Sequence, residues 1–264
     1  MVIGFIGLGN MAKAMIGGIL KKDIVSPEDI IGSAATKKTC DKVSEKFGIQ
    51  TRDSNRKIAK EADVIILAVK PQYFTQVIAE IMDDVDENKL VISIAAGKTL
   101  KWIEGAFEKR VKLIRVMPNT PALVGEGCTA VCRNELVSDE ELAFAMTIFE
   151  SFGQASVVNE NLMDVVGGVS GSSPAYAFMF IEAMADAAVE GGMPRKQAYQ
   201  FAAQSLLGSA KMVLETGKHP GELKDMVCSP GGTTIAAVRV LEEKGFRGAI
   251  IDAIKACIDK TKQL

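Results

Sequence analysis

Gly7-Leu8-Gly9-Asn10-Met11-Ala12 is a GxGxxA turn that follows directly on the apolar run Val2-Ile3-Gly4-Phe5-Ile6. Between a strand and a helix, this spacing is suited to hold the pyrophosphate of a dinucleotide. The first glycine permits the tight turn, and the second lets the phosphates approach the backbone. The small Ala12 allows helix and strand to pack closely, and the helix N-terminus attracts the anion. A glycine-rich turn without a ligand is the plainer alternative. The end of the second expected strand bears on which dinucleotide is bound. An NAD site ordinarily carries Asp or Glu there to bind the ribose hydroxyls. Here stand Gly32-Ser33-Ala34-Ala35-Thr36-Lys37-Lys38, with hydroxyls and two cations but no carboxylate. That set suits a 2′-phosphate, so NADP is expected over NAD, unless Lys37 and Lys38 are ordinary solvated charges at a helix start.

A second constellation lies far along the chain, at Ser229-Pro230-Gly231-Gly232-Thr233-Thr234-Ile235. Flexible backbone there precedes a helix whose first N–H groups lack partners, a place for a carboxylate or phosphate. Thr233 and Thr234 add hydroxyls that donate or accept. By geometry alone, a helix cap after a turn is an equal reading. Gly171-Ser172-Ser173-Pro174-Ala175-Tyr176 gives a similar helix start. The single histidine, His219, excludes a histidine metal cage, and no GxSxG elbow accompanies it. Followed by Pro220, it reads as a helix start rather than a proton-transfer group. The five cysteines (Cys40, Cys128, Cys132, Cys228, Cys257) are scattered, without zinc-ribbon or CxxC spacing. They read as reduced structural thiols, Cys128 and Cys132 sharing one face of an expected strand, and no metal is expected.

The elements that must position these residues change character part-way along. Short apolar runs at Val2–Ile6, Ile30–Ser33, Val64–Val69, Leu90–Ile94 and Leu113–Met117 read as strands. They are uniformly apolar, as in a parallel sheet covered by helices on both faces. Amphipathic segments such as Thr39–Phe47 and Tyr73–Met82 lie between them. Ala68-Val69-Lys70-Pro71, Ala95-Ala96-Gly97 and Met117-Pro118-Asn119-Thr120-Pro121 then fall at the carboxyl edge of the sheet, where ligands of such folds bind. From about Val158 onward the pattern is helical. The fold expected is an α/β Rossmann-type N-terminal domain over residues 1–157, followed by an all-α substrate-binding and dimerisation domain over residues 158–264. Pro174–Gly191 carries charge only at Glu182, Asp186 and Glu190, which form one narrow stripe. Such a helix must be buried on several sides, which favours an oligomer over a self-contained bundle. Phe246, Ile250, Ile251, Ile254 and Ile258 form another apolar stripe.

Composition narrows the partners. Thirty-one basic against 33 acidic side chains leave a net charge of −2, so no global field favours nucleic acid or an anionic membrane. The uncharged run Val165–Ile181 is too short and too polar to span a bilayer. The N-terminal apolar stretch meets its first charge only at Lys13, unlike a secretory signal. A cytoplasmic globular protein is expected.

The run His219–Arg247 (HPGELKDMVCSPGGTTIAAVRVLEEKGFR), with SGSSPAYAF at Ser170–Phe178, closely resembles pyrroline-5-carboxylate reductase. FIGLGNM, AVKP and MPNTP agree, so the resemblance spans essentially the whole chain. It implies reduction of a cyclic imine carboxylate to L-proline by NAD(P)H, with NADPH preferred here. It implies that Gly231, Gly232, Thr233 and Thr234 line the substrate site, beside Val227, with backbone amides holding the carboxylate and the Thr234 hydroxyl meeting the imine nitrogen. By the resemblance Phe5, Ile6, Gly7, Leu8, Gly9, Asn10, Met11, Ala34, Asn55, Ala68, Val69, Lys70, Pro71, Ala95 and Ala96 would hold the cofactor; the missing acid after the second strand separately places Lys37 or Lys38 and Asn55 near the 2′-phosphate, with Ser33 among the cofactor residues. It also implies a homodimer or higher homo-oligomer interlocked through the helical half. Met226 is a departure, since at least some relatives carry Asn there.

The chemistry suits the residue inventory. A five-membered imine is partly protonated near neutral pH, so hydride delivery needs alignment more than a strong acid. Alignment of two reactants can supply roughly 7–11 kcal/mol. A β-hydroxyacid dehydrogenase shares the two-domain plan but needs a lysine base on the long helix, and Ser170–Gly192 contains no lysine. A non-catalytic NADP-binding sensor would need only the N-terminal site and would leave PGGTT unused.

Overall fold

The computed structural model describes residues 1–263; Leu264, which ends the expected helical half, lies outside them. Eight strands form one sheet in the order β3-β2-β1-β4-β5-β6-β7-β8. They are β1 (Ile3–Ile6), β2 (Ile30–Ser33), β3 (Gln50–Thr51), β4 (Val64–Leu67), β5 (Leu90–Ser93), β6 (Lys112–Met117), β7 (Gly127–Arg133) and β8 (Gly153–Val157). The helices among them are α1 (Asn10–Lys21), α2 (Lys37–Phe47), α3 (Asn55–Glu61), α4 (Phe74–Ile81), α5 (Leu100–Phe107) and α6 (Asp139–Glu150).

Alternation explains why the strands are apolar throughout. Ile3, Phe5, Val64, Ile66, Leu90 and Ile92 enter one core, with α1, α2 and α6. Ile6, Ile65, Leu67, Val91 and Leu113 enter the other, with α3, α4 and α5. Period-two geometry turns one apolar run into two buried faces. Gly4 is the exception in β1, because a Cβ there would lie 2.6 Å from the Ile58 side chain of α3.

The sheet is not wholly parallel, as the sequence pattern had implied. β7 runs antiparallel to β6, while β8 is parallel to β7. The link between β6 and β7 is a short turn over Thr120–Val124 and its flanks. A parallel return needs a crossover of about a dozen residues or more, so the chain has to double back. β3 and β8 were not anticipated: β3 is two residues long and β8 is largely exposed, so neither shows an apolar run. Cys128 and Cys132 do lie in β7, but only Cys132 is buried. Burial pushes its thiol up to about 11, which makes it a poor nucleophile.

Beyond β8 come α7 (Met163–Val166), a π-helical turn (Gly167–Gly171), and α8 (Ser173–Glu190), α9 (Arg195–Thr216), α10 (Pro220–Val227), α11 (Thr233–Glu243) and α12 (Phe246–Thr261). The described residues divide into two compact units, residues 1–172 with 257–263, and residues 173–256. The change from strand to helix after Val157 therefore comes earlier than this division. Within the second unit, α8 and α9 pack on each other, yet Ala185 is the one fully buried residue of α8. Phe178, Met179, Phe201 and Leu214 remain exposed, Leu214 at 80%. Among the described residues no helix is long and apolar enough to cross a membrane.

Candidate active site

The first unit places the glycine turn at the point where the strand order reverses, between β1 and β4. Gly7 donates its N–H to the Ser33 carbonyl (2.9 Å), and Ala68 donates to the Ile6 carbonyl (2.8 Å), which ties three strand ends together. At φ +101°, Gly7 occupies the left-handed region, and a Cβ there would lie 2.6 Å from the Ala68 carbonyl oxygen. Gly9 differs. It is the N-cap of α1 with ordinary extended backbone, makes no side-chain cap, and has open space where a Cβ would stand. The first turn of α1 carries no acidic residue, and its leading N–H groups have no intrahelical acceptor. This is an open cradle for an anion. Phe5, Ile6 and Leu8 are buried among core side chains, so these three can reach a ligand only through their main chain. Asn10 is exposed and Met11 half-buried.

At the end of β2, Ser33 is 3% exposed and its hydroxyl donates to Asn55 Oδ1 (2.7 Å). Asn55, the first residue of α3, donates from Nδ2 to Glu80 Oε2 on α4 (2.8 Å). Ala34 is half-buried; Lys37 and Lys38 are exposed and open α2, whose N-cap Thr36 accepts from the Thr39 N–H. No acidic residue stands in that first turn.

The other strand ends share this edge. Val69 and Pro71 are half-buried around the exposed Lys70, which caps a short 3-10 turn. A cavity of about 290 Å3 is lined by Met11, Ile94, Ala96, Met117, Pro118 and the π-helical turn at Gly167 and Gly171, among others, with Ala95 buried beside Ala96. Two groups to which spacing assigned no role hold that turn in place. Asn119 donates from Nδ2 to the Ser170 carbonyl (3.0 Å) and accepts from the Cys128 N–H (2.8 Å). Arg115, 2% exposed, pairs with Glu160 (3.0 Å) and Asp164 (3.4 Å) just before the turn. An arginine inside Leu113-Ile114-Arg115-Val116-Met117 was the available signal, since a buried guanidinium requires partners.

The second unit holds the other constellation. Gly231 has φ +68° in open surroundings, and Gly232 is the N-cap of α11 without a side-chain cap. A Cβ on Gly232 would meet the Ser229 hydroxyl at 2.3 Å, so the turn closes tightly there. Thr233 and Thr234 begin α11, which has no acidic residue in its first turn, and Thr234 is half-buried. Their amides and hydroxyls are therefore free for an external acceptor. Val227 is exposed at the end of α10, and so is Met226. His219 caps α10, its Nδ1 accepting from the Gly221 N–H at 3.0 Å.

Comparison with known proteins covers both constellations. The chain is 55% identical over 262 residues to pyrroline-5-carboxylate reductase of Escherichia coli, covering 99% of this chain and 97% of that one. The chain belongs to the pyrroline-5-carboxylate reductase family. Residues 160–264 match the family model described as pyrroline-5-carboxylate reductase dimerisation. Residues 2–97 match the model described as NADP oxidoreductase, coenzyme F420-dependent. The crystal structure of Plasmodium falciparum pyrroline carboxylate reductase with NADP bound superposes at a TM-score of 0.91. It is 33% identical and covers 100% of this chain and 97% of that one. The reductase of Coxiella burnetii superposes at 0.92 with 36% identity, covering 99% and 97%. As a member of this reductase family, the chain is an oxidoreductase with a nicotinamide dinucleotide site in its first unit. The open Gly9 cradle and the close contact at Gly7 fit such a group. The family's dimerisation region coincides with helices whose apolar side chains a single chain leaves exposed.

Proposed function

We propose that the chain catalyses the NADPH-dependent reduction of 1-pyrroline-5-carboxylate to L-proline in the cytoplasm. The observation that carries this reading is the uncapped, acid-free head of α11 in a chain 55% identical to a reductase of that name. Residues 1–157 serve as the dinucleotide-binding domain and residues 158–264 as the substrate and dimerisation domain. Five free cysteines accord with a reducing compartment.

The amides of Gly231 and Thr233 hold the substrate carboxylate, a charge-assisted arrangement at a helix N-terminus, while the Gly232 N–H donates to the Ser229 carbonyl (3.0 Å) and shapes the turn. The Thr234 hydroxyl meets the ring nitrogen and fixes which face of the imine is presented. The bound cofactor supplies the hydride. Reduction places hydride on the imine carbon and leaves the proton on nitrogen, so the product is the secondary amine. No group in this scheme needs a strongly shifted pKa, which suits a site whose polar groups are amides and hydroxyls. His219 is given no catalytic role in this scheme; its Nδ1 caps α10 by accepting from the Gly221 amide.

NADPH is the preferred reductant. The support is the absence of a carboxylate at the end of β2, together with the acid-free start of α2 carrying Lys37 and Lys38. In this reading Asn55 and Ser33, hydrogen-bonded to each other at the end of β2, face the ribose 2′ position. Loss of nicotinamide fluorescence, followed with the cyclic imine and either reduced cofactor, tests activity and preference together. Turnover with higher kcat/KM for NADPH is expected. Equal or better efficiency with NADH would sink the phosphate argument alone. Silence with the imine, against turnover with a hydroxyacid and oxidised cofactor, would return the chain to the dehydrogenase class.

The working form is at least a homodimer interlocked through the helical half. Phe178, Met179, Phe201 and Leu214 have no cover within one chain, and apolar surface of this kind drives association. Light scattering at micromolar concentration should give twice the chain mass or a multiple of it. A stable, active monomer would overturn the assembly.

A further inference from the structure

We propose that Glu80 is a positioning residue for cofactor choice: through Asn55 it sets Ser33 as a hydrogen-bond acceptor and so weakens the preference for a 2′-phosphate. The inference rests on the reading above that Ser33 and Asn55 face the ribose 2′ position.

The argument is one of hydrogen-bond direction. An ionised carboxylate only accepts, so Asn55 must turn Nδ2 toward Glu80, at 2.8 Å. Its Oδ1 is then left facing Ser33, and the Ser33 hydroxyl has to donate, at 2.7 Å. Serine has a single hydroxyl proton, and the relay spends it on Asn55. What Ser33 then offers a ligand is lone pairs. Lone pairs suit a ribose 2′-hydroxyl, which can donate, and do not suit a phosphate dianion, which cannot. The chain lacks the usual acid at the end of β2, yet the Glu80 carboxylate on α4 acts on Ser33 there through the side chain of Asn55. Burial strengthens the constraint: Ser33 is 3% exposed, so water cannot readily replace the lost proton. Arg56, next to Asn55 on α3, pairs with Asp84 at 2.7 Å and is held charged by Asp84 first and also by Glu80.

Glu80→Gln releases the direction without emptying the place. A glutamine can accept from Asn55 or donate to it, so the amide of Asn55 is free to turn and the Ser33 proton becomes available to a phosphate. One hydrogen bond changed in this way corresponds to a shift of about threefold to tenfold in relative affinity. The readout is binding of two nucleotides without nicotinamide, 2′,5′-ADP and ADP, measured by calorimetry on the full-length protein. For Glu80→Gln the ratio of Kd(ADP) to Kd(2′,5′-ADP) should rise by about threefold to tenfold, with the melting temperature unchanged. The same direction should appear in kcat/KM for NADPH over NADH. An unchanged ratio, or both affinities falling together, would overturn the role of Glu80. Ser33→Ala and Asn55→Ala separate that failure from failure of the underlying reading. If both change the ratio while Glu80→Gln does not, the ribose placement stands and the relay is wrong. If neither changes it, the ribose placement itself is wrong.

Discussion

Gly9→Ala should leave the protein folded and remove most of its affinity for dinucleotide, whereas Gly7→Ala, two residues away, should damage the fold itself. The two glycines share a motif and differ in what surrounds them. At Gly9 the backbone is extended at φ −74° and nothing lies within 4 Å of a Cβ. Alanine is therefore strain-free there, and as a slightly poorer N-cap it should lower stability by less than about 1 kcal/mol. On the proposed reading the open space is the approach for the pyrophosphate, and a methyl group would occupy it. Overpacking a close contact typically costs about 1–3 kcal/mol, so NADPH affinity should fall by about tenfold to a hundredfold. At Gly7, φ is +101° and the added Cβ would be 2.6 Å from the Ala68 carbonyl oxygen. Strain of about 1–3 kcal/mol in the backbone adds to that collision. Thermal unfolding and NADPH titration of both variants check the contrast. Wild-type NADPH affinity in a folded Gly9→Ala protein would remove the cradle from the site.

Much of the fold was readable because parallel strands covered on both faces are apolar without interruption. Ile30–Ser33 and Leu90–Ser93 needed only their runs of Ile, Leu and Val to be seen. Where burial is partial, the signal fades. β8 is exposed along one side and sits at the sheet edge, and β3 has two residues, so neither could be told from loop. The reversal at β7 is a property of connection length rather than of composition. A reading from strand patterns alone missed it.

The site divides in the same way. Glycine-rich turns leave a mark in sequence: Gly7 and Gly231 take positive φ, which glycine adopts most readily, and Gly9 and Gly232 stand beside them at helix starts. Side-chain networks leave none, because their members come from unrelated positions. Glu80 lies within an amphipathic helix, where a charge needs no explanation until the fold brings it to Asn55. Asn119 stood in a proline-flanked loop that was already noticed. Its service as a bridge between the Ser170 carbonyl and the Cys128 amide depended on contacts distant in sequence.

Thr234→Ala should lower kcat by about tenfold to a hundredfold while leaving NADPH binding near the wild-type value. Gly232, not Thr234, is the N-cap of α11, and it makes no side-chain cap, so loss of this hydroxyl does not uncap the helix. The backbone cradle for the carboxylate is likewise untouched. What disappears, on the proposed reading, is one oriented polar contact at the reacting centre. Loss of a donor at a developing charge costs about 10²–10³-fold at the upper end. A smaller loss is expected here, because hydride lands on carbon rather than on the nitrogen that the hydroxyl meets, and water can enter a half-buried position. Thr234→Ser keeps the hydroxyl and should recover most of the rate. Thr233→Ala should be milder than Thr234→Ala, since Thr233 contributes through its amide. Single-turnover reduction, NADPH titration and thermal unfolding of the three variants separate the possibilities. A reaction site requires a loss in the chemical step that serine restores. Wild-type turnover in Thr234→Ala, or a fall in NADPH affinity as large as the fall in rate, would reduce Thr234 to a residue of the helix start.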